Sequence, residues 1–256
     1  MITVGIDLGA KTTKVVIVKD GELLSQSLVL TGFDQEMAAE QALKEALQKA
    51  GLQREEIEQV VATGAGSKAV PFADHHVTDI GADARGATFL FPSTRTVIDV
   101  GAEEGRGIRC DEKGKVVDFA INEKCAAGAG AFTEAMARAL ELELEEMGEL
   151  SLQSTKAVPM NAQCTIFAES EVVSLIHAKT SKADIVRAVH DAIASRISSM
   201  VRRVGIEKDV TLIGGVARNV GFVDSLQRGL EVKLLVPEEP EFVGALGAAL
   251  VAADGK

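Results

Sequence analysis

One pattern occurs twice in this chain: a β-branched run with an aspartate two residues before a glycine, opening a series of strand-like segments. The copies are Val4-Gly5-Ile6-Asp7-Leu8-Gly9 and Val97-Ile98-Asp99-Val100-Gly101. A degenerate tandem repeat of this kind restricts the fold to two lobes of similar topology. In the first copy, strand-like runs over 2–9 and 14–19 flank Gly9-Ala10-Lys11-Thr12-Thr13, and a third over 23–30 follows the Asp20-Gly21 turn. This reads as an antiparallel meander. Apolar spacing then predicts a helix over 34–50, stopped by Gly51, and a short buried strand over 60–64. The second copy repeats the meander with runs over 96–101, 107–109 and 116–120. After it the chain is more helical, with helices expected over 131–142, 168–177, 182–204 and 242–253 and a strand over 210–215. The fold class is therefore α/β with duplicated lobes, divided as 1–94 plus 242–256 and 95–241. No Pro/Gly/Ser linker interrupts it, so the lobes are expected to be joined by crossing helices with a cleft between them.

Charge removes several classes of function. Lys plus Arg total 27 against 38 Asp plus Glu, a net charge of −11 that repels a phosphate backbone, so no nucleic-acid partner is expected. The longest nearly unbroken apolar run, 243–253, is about half of the roughly 20 residues a membrane span needs. The strand-like start lacks a basic n-region, an h-region and a cleavage site, so a cytoplasmic protein with no membrane partner is expected. Three cysteines are too few for a disulfide framework, which leaves each as a core thiol, a nucleophile or a metal ligand.

The repeated glycines suit a nucleotide. A glycine directly after a strand lets the main chain approach a phosphate, and its neighbours' N–H groups form an anion-binding concavity. The stretch Gly9, Lys11, Thr12, Thr13, Lys14 has that form, with Gly101 its counterpart. Asp7 and Asp99 would both look into the cleft, where carboxylates suit a hydrated Mg²⁺ on a polyphosphate. Either Asp-x-Gly alone reads more simply as a turn; two of them, each heading a meander, favour a site. In the segment 212–219, a strand runs into Gly214 and Gly215 and on to Asn219, where a purine or ribose could lie against bare backbone. The plain alternative is a turn before a helix. Glu103 or Glu104 could orient attacking water or bind Mg²⁺ through water; adjacent residues on a strand point opposite ways, so at most one of the two is expected to face the nucleotide. The His75-His76 pair reads as a loop, His177 and His190 as ordinary helix side chains, and the acidic run 141–149 as a solvated helix face.

On these residues the chain resembles the actin-like and sugar-kinase ATPase superfamily. Gly5-Ile6-Asp7-Leu8-Gly9 and Ile98-Asp99-Val100-Gly101 resemble its phosphate motifs, and Ile213-Gly214-Gly215-Val216-Ala217-Arg218-Asn219 its adenosine motif. Two cysteine segments narrow the resemblance to the activator family of 2-hydroxyacyl-CoA dehydratases and benzoyl-CoA reductases: Lys124-Cys125-Ala126-Ala127-Gly128-Ala129-Gly130-Ala131-Phe132 and Gln163-Cys164-Thr165-Ile166-Phe167-Ala168-Glu169-Ser170-Glu171. It covers essentially the whole chain. Both thiols precede expected helices, where free N–H groups and the helix dipole favour negative charge. Their separation, 164 − 125 = 39 residues, lacks tight C-x₂-C spacing, and spacing alone favours two core thiols. Two copies across a two-fold axis would supply the four thiolates of an iron–sulfur cube.

The resemblance implies an actin-like ATPase with a nucleotide cleft between its lobes. It further implies that Cys125 and Cys164 ligate a [4Fe–4S] cluster shared by a homodimer, with Gly128 and Gly130 beside the nucleotide and Cys110, which matches neither motif, a packing residue. The activity implied is ATP hydrolysis, with ATP/ADP and Mg²⁺ as ligands. It drives electrons from a donor such as ferredoxin or flavodoxin to an iron–sulfur dehydratase or reductase. Gly101-Ala102-Glu103-Glu104-Gly105-Arg106 stands where dehydratase activators carry a Gly-Gln-Asp-like stretch, which leaves the acceptor open. A small-molecule kinase of the same superfamily, or a non-catalytic nucleotide-gated structural protein, are the competing readings.

Overall fold

The computed structural model describes residues 1–122, 129–160 and 164–255. The first half runs β1 (Ile2–Leu8), β2 (Thr12–Lys19), β3 (Glu22–Leu30), α1 (Gln35–Ala50), β4 (Gln59–Thr63), β5 (His75–His76) and α2 (Asp79–Leu90). The second begins with β6 (Thr96–Val100), β7 (Gly105–Cys110), β8 (Val116–Asn122), α3 (Ala129–Ala139) and α4 (Glu146–Leu152). It continues through α5 (Thr165–His177), α6 (Lys182–Val204), β9 (Val210–Ile213), α7 (Val220–Leu230), β10 (Leu234–Leu235) and α8 (Val243–Ala253).

The strands form two five-stranded sheets, ordered β3-β2-β1-β4-β5 and β8-β7-β6-β9-β10. In each sheet the first three strands are antiparallel and the last three parallel. The duplication extends to register. Asp7 pairs with Lys14 on one side and Thr63 on the other; Asp99 pairs with Arg106 and Ile213.

Sequence explains the layers. Both faces of β2 are covered, so its run is β-branched without polar alternation. Val15 and Ile17 pack into the cluster under α1, whereas Val16 and Val18 pack against Ala245, Leu246, Ala249 and Leu250 of α8. Fully burying such a side chain contributes about 1.5–3 kcal/mol. Helix α1 starts where the Asp34 side chain accepts the Met37 N–H and ends at Gly51, whose φ of 68° is the left-handed stop glycine permits. Small residues let α8 approach its neighbours at backbone contact. A Cβ at Gly5 would run into the Ala245 carbonyl oxygen, and one at Gly247 into that of Ala82. Helix α2 in turn packs Ala84 and Ala87 against Val97, Ile108, Cys110 and Ile213 of the second sheet. Thus α2 and α8 fill the space between the sheets, and α6 and α7 cover the far face of the second.

The expected helices over 34–50 and 182–204 agree with α1 and α6, the acidic run read as a helix face overlaps α4, and α2 and α7 have no counterpart among the expected helices. Strand β2 begins at Thr12 and not 14. His75 and His76 form a two-residue strand with both side chains exposed. Among the described residues no helix is long and apolar enough to cross a membrane.

Candidate active site between the sheets

The parallel ends of β1 and β6 face one cleft with a cavity of about 560 Å³. Equivalent hairpins close both strands: the Gly9 N–H donates to the Thr12 carbonyl at 3.1 Å, and the Gly101 N–H to the Glu104 carbonyl at 2.9 Å. Equivalent glycines make room for the aspartates. Gly64, following β4, has φ +93°, and a Cβ there would lie 2.6 Å from Asp7 Oδ1. Gly214, following β9, has φ +88°, and a Cβ there would collide with Asp99 Oδ1.

Each aspartate has a cation at its register partner. Lys14 Nζ lies 3.0 Å from Asp7 Oδ2, and Arg106 Nη1 lies 2.6 Å from Asp99 Oδ2. The Arg106 guanidinium also holds Glu104 at 2.6 Å and Asp79 at 3.2 Å, which joins β7, the second hairpin and α2. Burial raises the Asp99 pKa, with Arg106 opposing. Burial also raises the Asp79 carboxyl, and it pushes Asp83 well above the usual carboxylate range with the Asp99 charge adding to the effect. Asp83 Oδ2 is buried without a hydrogen-bond partner among the described residues.

Ten carboxyl side chains line the cavity (Asp7, Asp79, Asp83, Asp99, Glu103, Glu104, Glu134, Glu145, Glu149, Glu241) against four cations (Lys11, Lys14, Arg106, Arg218). A polyphosphate entering such a lining meets net repulsion unless a cation accompanies it, and an all-oxygen donor set suits Mg²⁺. Among the described residues no three side chains stand close enough to hold a metal alone. The residues therefore fit a cation that keeps water and phosphate oxygens in its shell.

The cleft collects Asp7, Gly9, Lys11, Thr12 and Lys14 from the first lobe. From the second it collects Asp99, Gly101, Glu103, Glu104, Gly130, Gly214, Gly215 and Asn219. Thr13 is a correction. Because β2 starts at Thr12, strand alternation turns Thr13 away from the cleft, fully buried with its hydroxyl 3.0 Å from that of Thr31. Glu103 and Glu104 differ in what holds them, since Glu104 is paired with Arg106 at 2.6 Å. They lie in the hairpin turn, where strand alternation does not apply, and both line the cavity. The glutamates of the acidic run are all exposed, as a solvated face requires, and Glu145 and Glu149 among them also border the cleft. Gly128 and Cys125 lie outside the described residues.

Asp79, Asp83 and Arg106 were missed. Arg106 had a signal: the shift that carries Asp7 onto Asp99 (99 − 7 = 92) carries Lys14 onto Arg106 (106 − 14 = 92). The two aspartates had none, because α2 is too rich in Gly and Ala to show a periodic apolar face.

Cys164 is a free, half-buried thiol at the N-cap of α5. Its position, donor type and exposure fit a metal–sulfur ligand. Cys110 does not fit; it is buried in the core between α2 and the second sheet, and burial pushes its thiol up to about 11. The helix following Cys125 is bonded to the second hairpin: the Gly130 N–H donates to the Gly101 carbonyl at 3.2 Å and the Ala131 N–H to the Ala102 carbonyl at 3.0 Å. Farther along α3, Glu134 forms an ion pair across the cleft with Lys11 of the first hairpin.

The sequence profile of the BadF/BadG/BcrA/BcrD ATPase family matches residues 4–252. The chain belongs to this family. It is 42% identical over 252 residues to the activator of lactoyl-CoA dehydratase from Anaerotignum propionicum, covering 98% of this chain and 97% of that protein. It superposes on component A of (R)-2-hydroxyglutaryl-CoA dehydratase from Acidaminococcus fermentans with a TM-score of 0.95 and 38% identity over 100% of both chains. It superposes equally closely on the activator of 2-hydroxyisocaproyl-CoA dehydratase from Clostridium difficile, solved with bound ADPNP: TM-score 0.94, 38% identity, 100% of this chain and 95% of that one. Membership of the BadF/BadG/BcrA/BcrD family makes this chain an ATPase, and its two sheets are the two lobes of an actin-like fold.

Proposed function

We propose that this ATPase couples ATP hydrolysis to low-potential electron transfer, passing electrons from a donor such as ferredoxin or flavodoxin to an iron–sulfur acceptor enzyme. The acceptor is a 2-hydroxyacyl-CoA dehydratase, a benzoyl-CoA reductase or a related enzyme, and the setting is the cytoplasm. Cys125 and Cys164 from each of two copies would hold one [4Fe–4S] cluster in a homodimer. When bound, that cluster supplies one-electron transfer. The observation that carries this reading is the bonding of α3 to the Gly101–Ala102 hairpin, which ties the helix after Cys125 to the site where phosphates would lie.

In the cleft, Lys14 and Arg106 stand beside the strand-end carboxylates as the cations for phosphate oxygens. Asp7 and Asp99 would hold Mg²⁺ through water, and Gly214, Gly215 and Asn219 would seat the nucleoside. Hydrolysis forms a bond from water oxygen to the γ-phosphorus and breaks the bond to the bridging oxygen, so ADP leaves. Glu103 receives the water's proton; among the described residues it has no ion-pair or hydrogen-bond partner. Nucleotide phosphate would compete with Glu134 for Lys11, so filling the cleft changes what holds α3. The lobe division 1–94 plus 242–256 and 95–241 puts that ion pair across the lobe boundary.

Protein purified without oxygen should be brown and hydrolyse ATP. Cys125→Ser or Cys164→Ser should lose iron and colour while still binding ADP, and Cys110→Ser should keep both. Colourless anaerobic protein with undiminished hydrolysis would instead indicate an ATPase with incidental thiols.

A further inference from the structure

We infer that His190 positions the cleft-lining amide of Asn219, and through it the nucleoside end of the cleft. The inference rests on the nucleotide reading of that cleft. Sequence reading made His190 an ordinary helix side chain; the structure buries it completely, on α6, behind the wall of the site.

Asn219 caps α7, its Oδ1 accepting the Phe222 N–H at 3.0 Å. That bond fixes which end of the amide is oxygen, so Nδ2 must face the imidazole, where it lies 3.1 Å from His190 Nε2. A flipped amide would set its NH₂ against the Phe222 N–H. Nδ2 is a donor, so Nε2 must be the acceptor and the ring proton must sit on Nδ1. His190 Nδ1 is buried with no partner among the described residues, a donor left unsatisfied while its other nitrogen serves Asn219. Burial pushes the imidazole pKa down to about 4, which keeps Nε2 free to accept at neutral pH.

The surrounding glycines maintain this arrangement. A Cβ at Gly221 would lie 2.9 Å from His190 Nδ1 and 2.8 Å from the Gly148 carbonyl oxygen, and a Cβ at Gly148 would lie 3.2 Å from Asn219 Oδ1. Helices α4, α6 and α7 thus close on one part-buried hydrogen bond. Asn219 lines the cavity, and among the described residues the second Nδ2 hydrogen has no protein partner, so it is the amide's available donor at the cleft wall. His190 does not itself line the cavity and acts only through Asn219.

The test compares ADP and inorganic tripolyphosphate binding to the anaerobic dimer for wild type, His190→Leu, His190→Gln and Asn219→Ala. Loss of one neutral hydrogen bond should weaken ADP about three- to tenfold in His190→Leu. Gln, whose amide oxygen can occupy the Nε2 position, should restore binding to within about twofold. Tripolyphosphate should bind all four alike. Adding His190→Leu to Asn219→Ala should weaken ADP no further, because the two changes remove the same interaction. Unchanged ADP affinity in His190→Leu, or equal losses for ADP and tripolyphosphate, would overturn the inference alone; wild type that binds no ADP would overturn the cleft reading with it. Nitrogen-15 NMR of the wild type gives an answer that does not depend on variants folding: Nδ1 protonated and Nε2 bare is expected, and the opposite tautomer contradicts the inference.

Discussion

Arg106 holds three carboxylates from three different elements, and only 13% of its side chain is exposed. Removing one partner from a largely buried ionic cluster leaves the others uncompensated, which costs about 3–5 kcal/mol. Arg106→Ala should therefore lower the urea midpoint and reduce ATP hydrolysis at least tenfold, both measurable on one preparation. His190 carries a pH dependence of stated sign. Its folded pKa, about 4, lies below the unfolded 6.5, so its contribution is complete above pH 6.5 and is lost as pH falls toward 4. That loss approaches about 3 kcal/mol. Urea midpoints should drop between pH 7 and pH 5 in wild type and drop less in His190→Gln. At this scale the legible residues were those the repeat marks: Asp7, Asp99 and the glycines behind them. Thr13 was misread because the turn closes at Thr12, and one residue of register reverses a side chain. His190 and Asp83 were illegible because their environments come from helices distant in sequence.

At the scale of elements, the sequence carried the meanders and the long capped helices, whose periodicity and stop residues are local. It did not carry α2, because a helix packed at backbone contact needs small residues, and small residues show no apolar stripe. That same closeness is testable. Gly247→Val places a side chain against the Ala82 carbonyl, and overpacking of this kind costs about 1–3 kcal/mol or more. Thermal unfolding should report a clear fall in midpoint. The Lys11–Glu134 pair joins the first hairpin to α3 while half of the Lys11 side chain stays exposed, so it belongs with ion pairs worth about 0.2–1 kcal/mol. Glu134→Gln frees Lys11 for phosphate and should tighten ADP binding, up to about fivefold. Weaker binding in that variant would show that Glu134 does not compete with phosphate.

Over the whole molecule, duplicated sheets set two hairpins and two aspartates against one cavity, and one of those hairpins is bonded to the helix that follows Cys125. Each chain brings two motif-matched thiols, half of what a cube requires. The proposed function therefore stands on a cluster that only two chains complete. Native mass spectrometry of protein purified without oxygen tests this most directly. The expected result is a dimer carrying about four iron and four sulfide ions in total, which loses them and dissociates more readily after chelation. A monomer holding a complete cluster, or an ATP-hydrolysing dimer without iron, would contradict it.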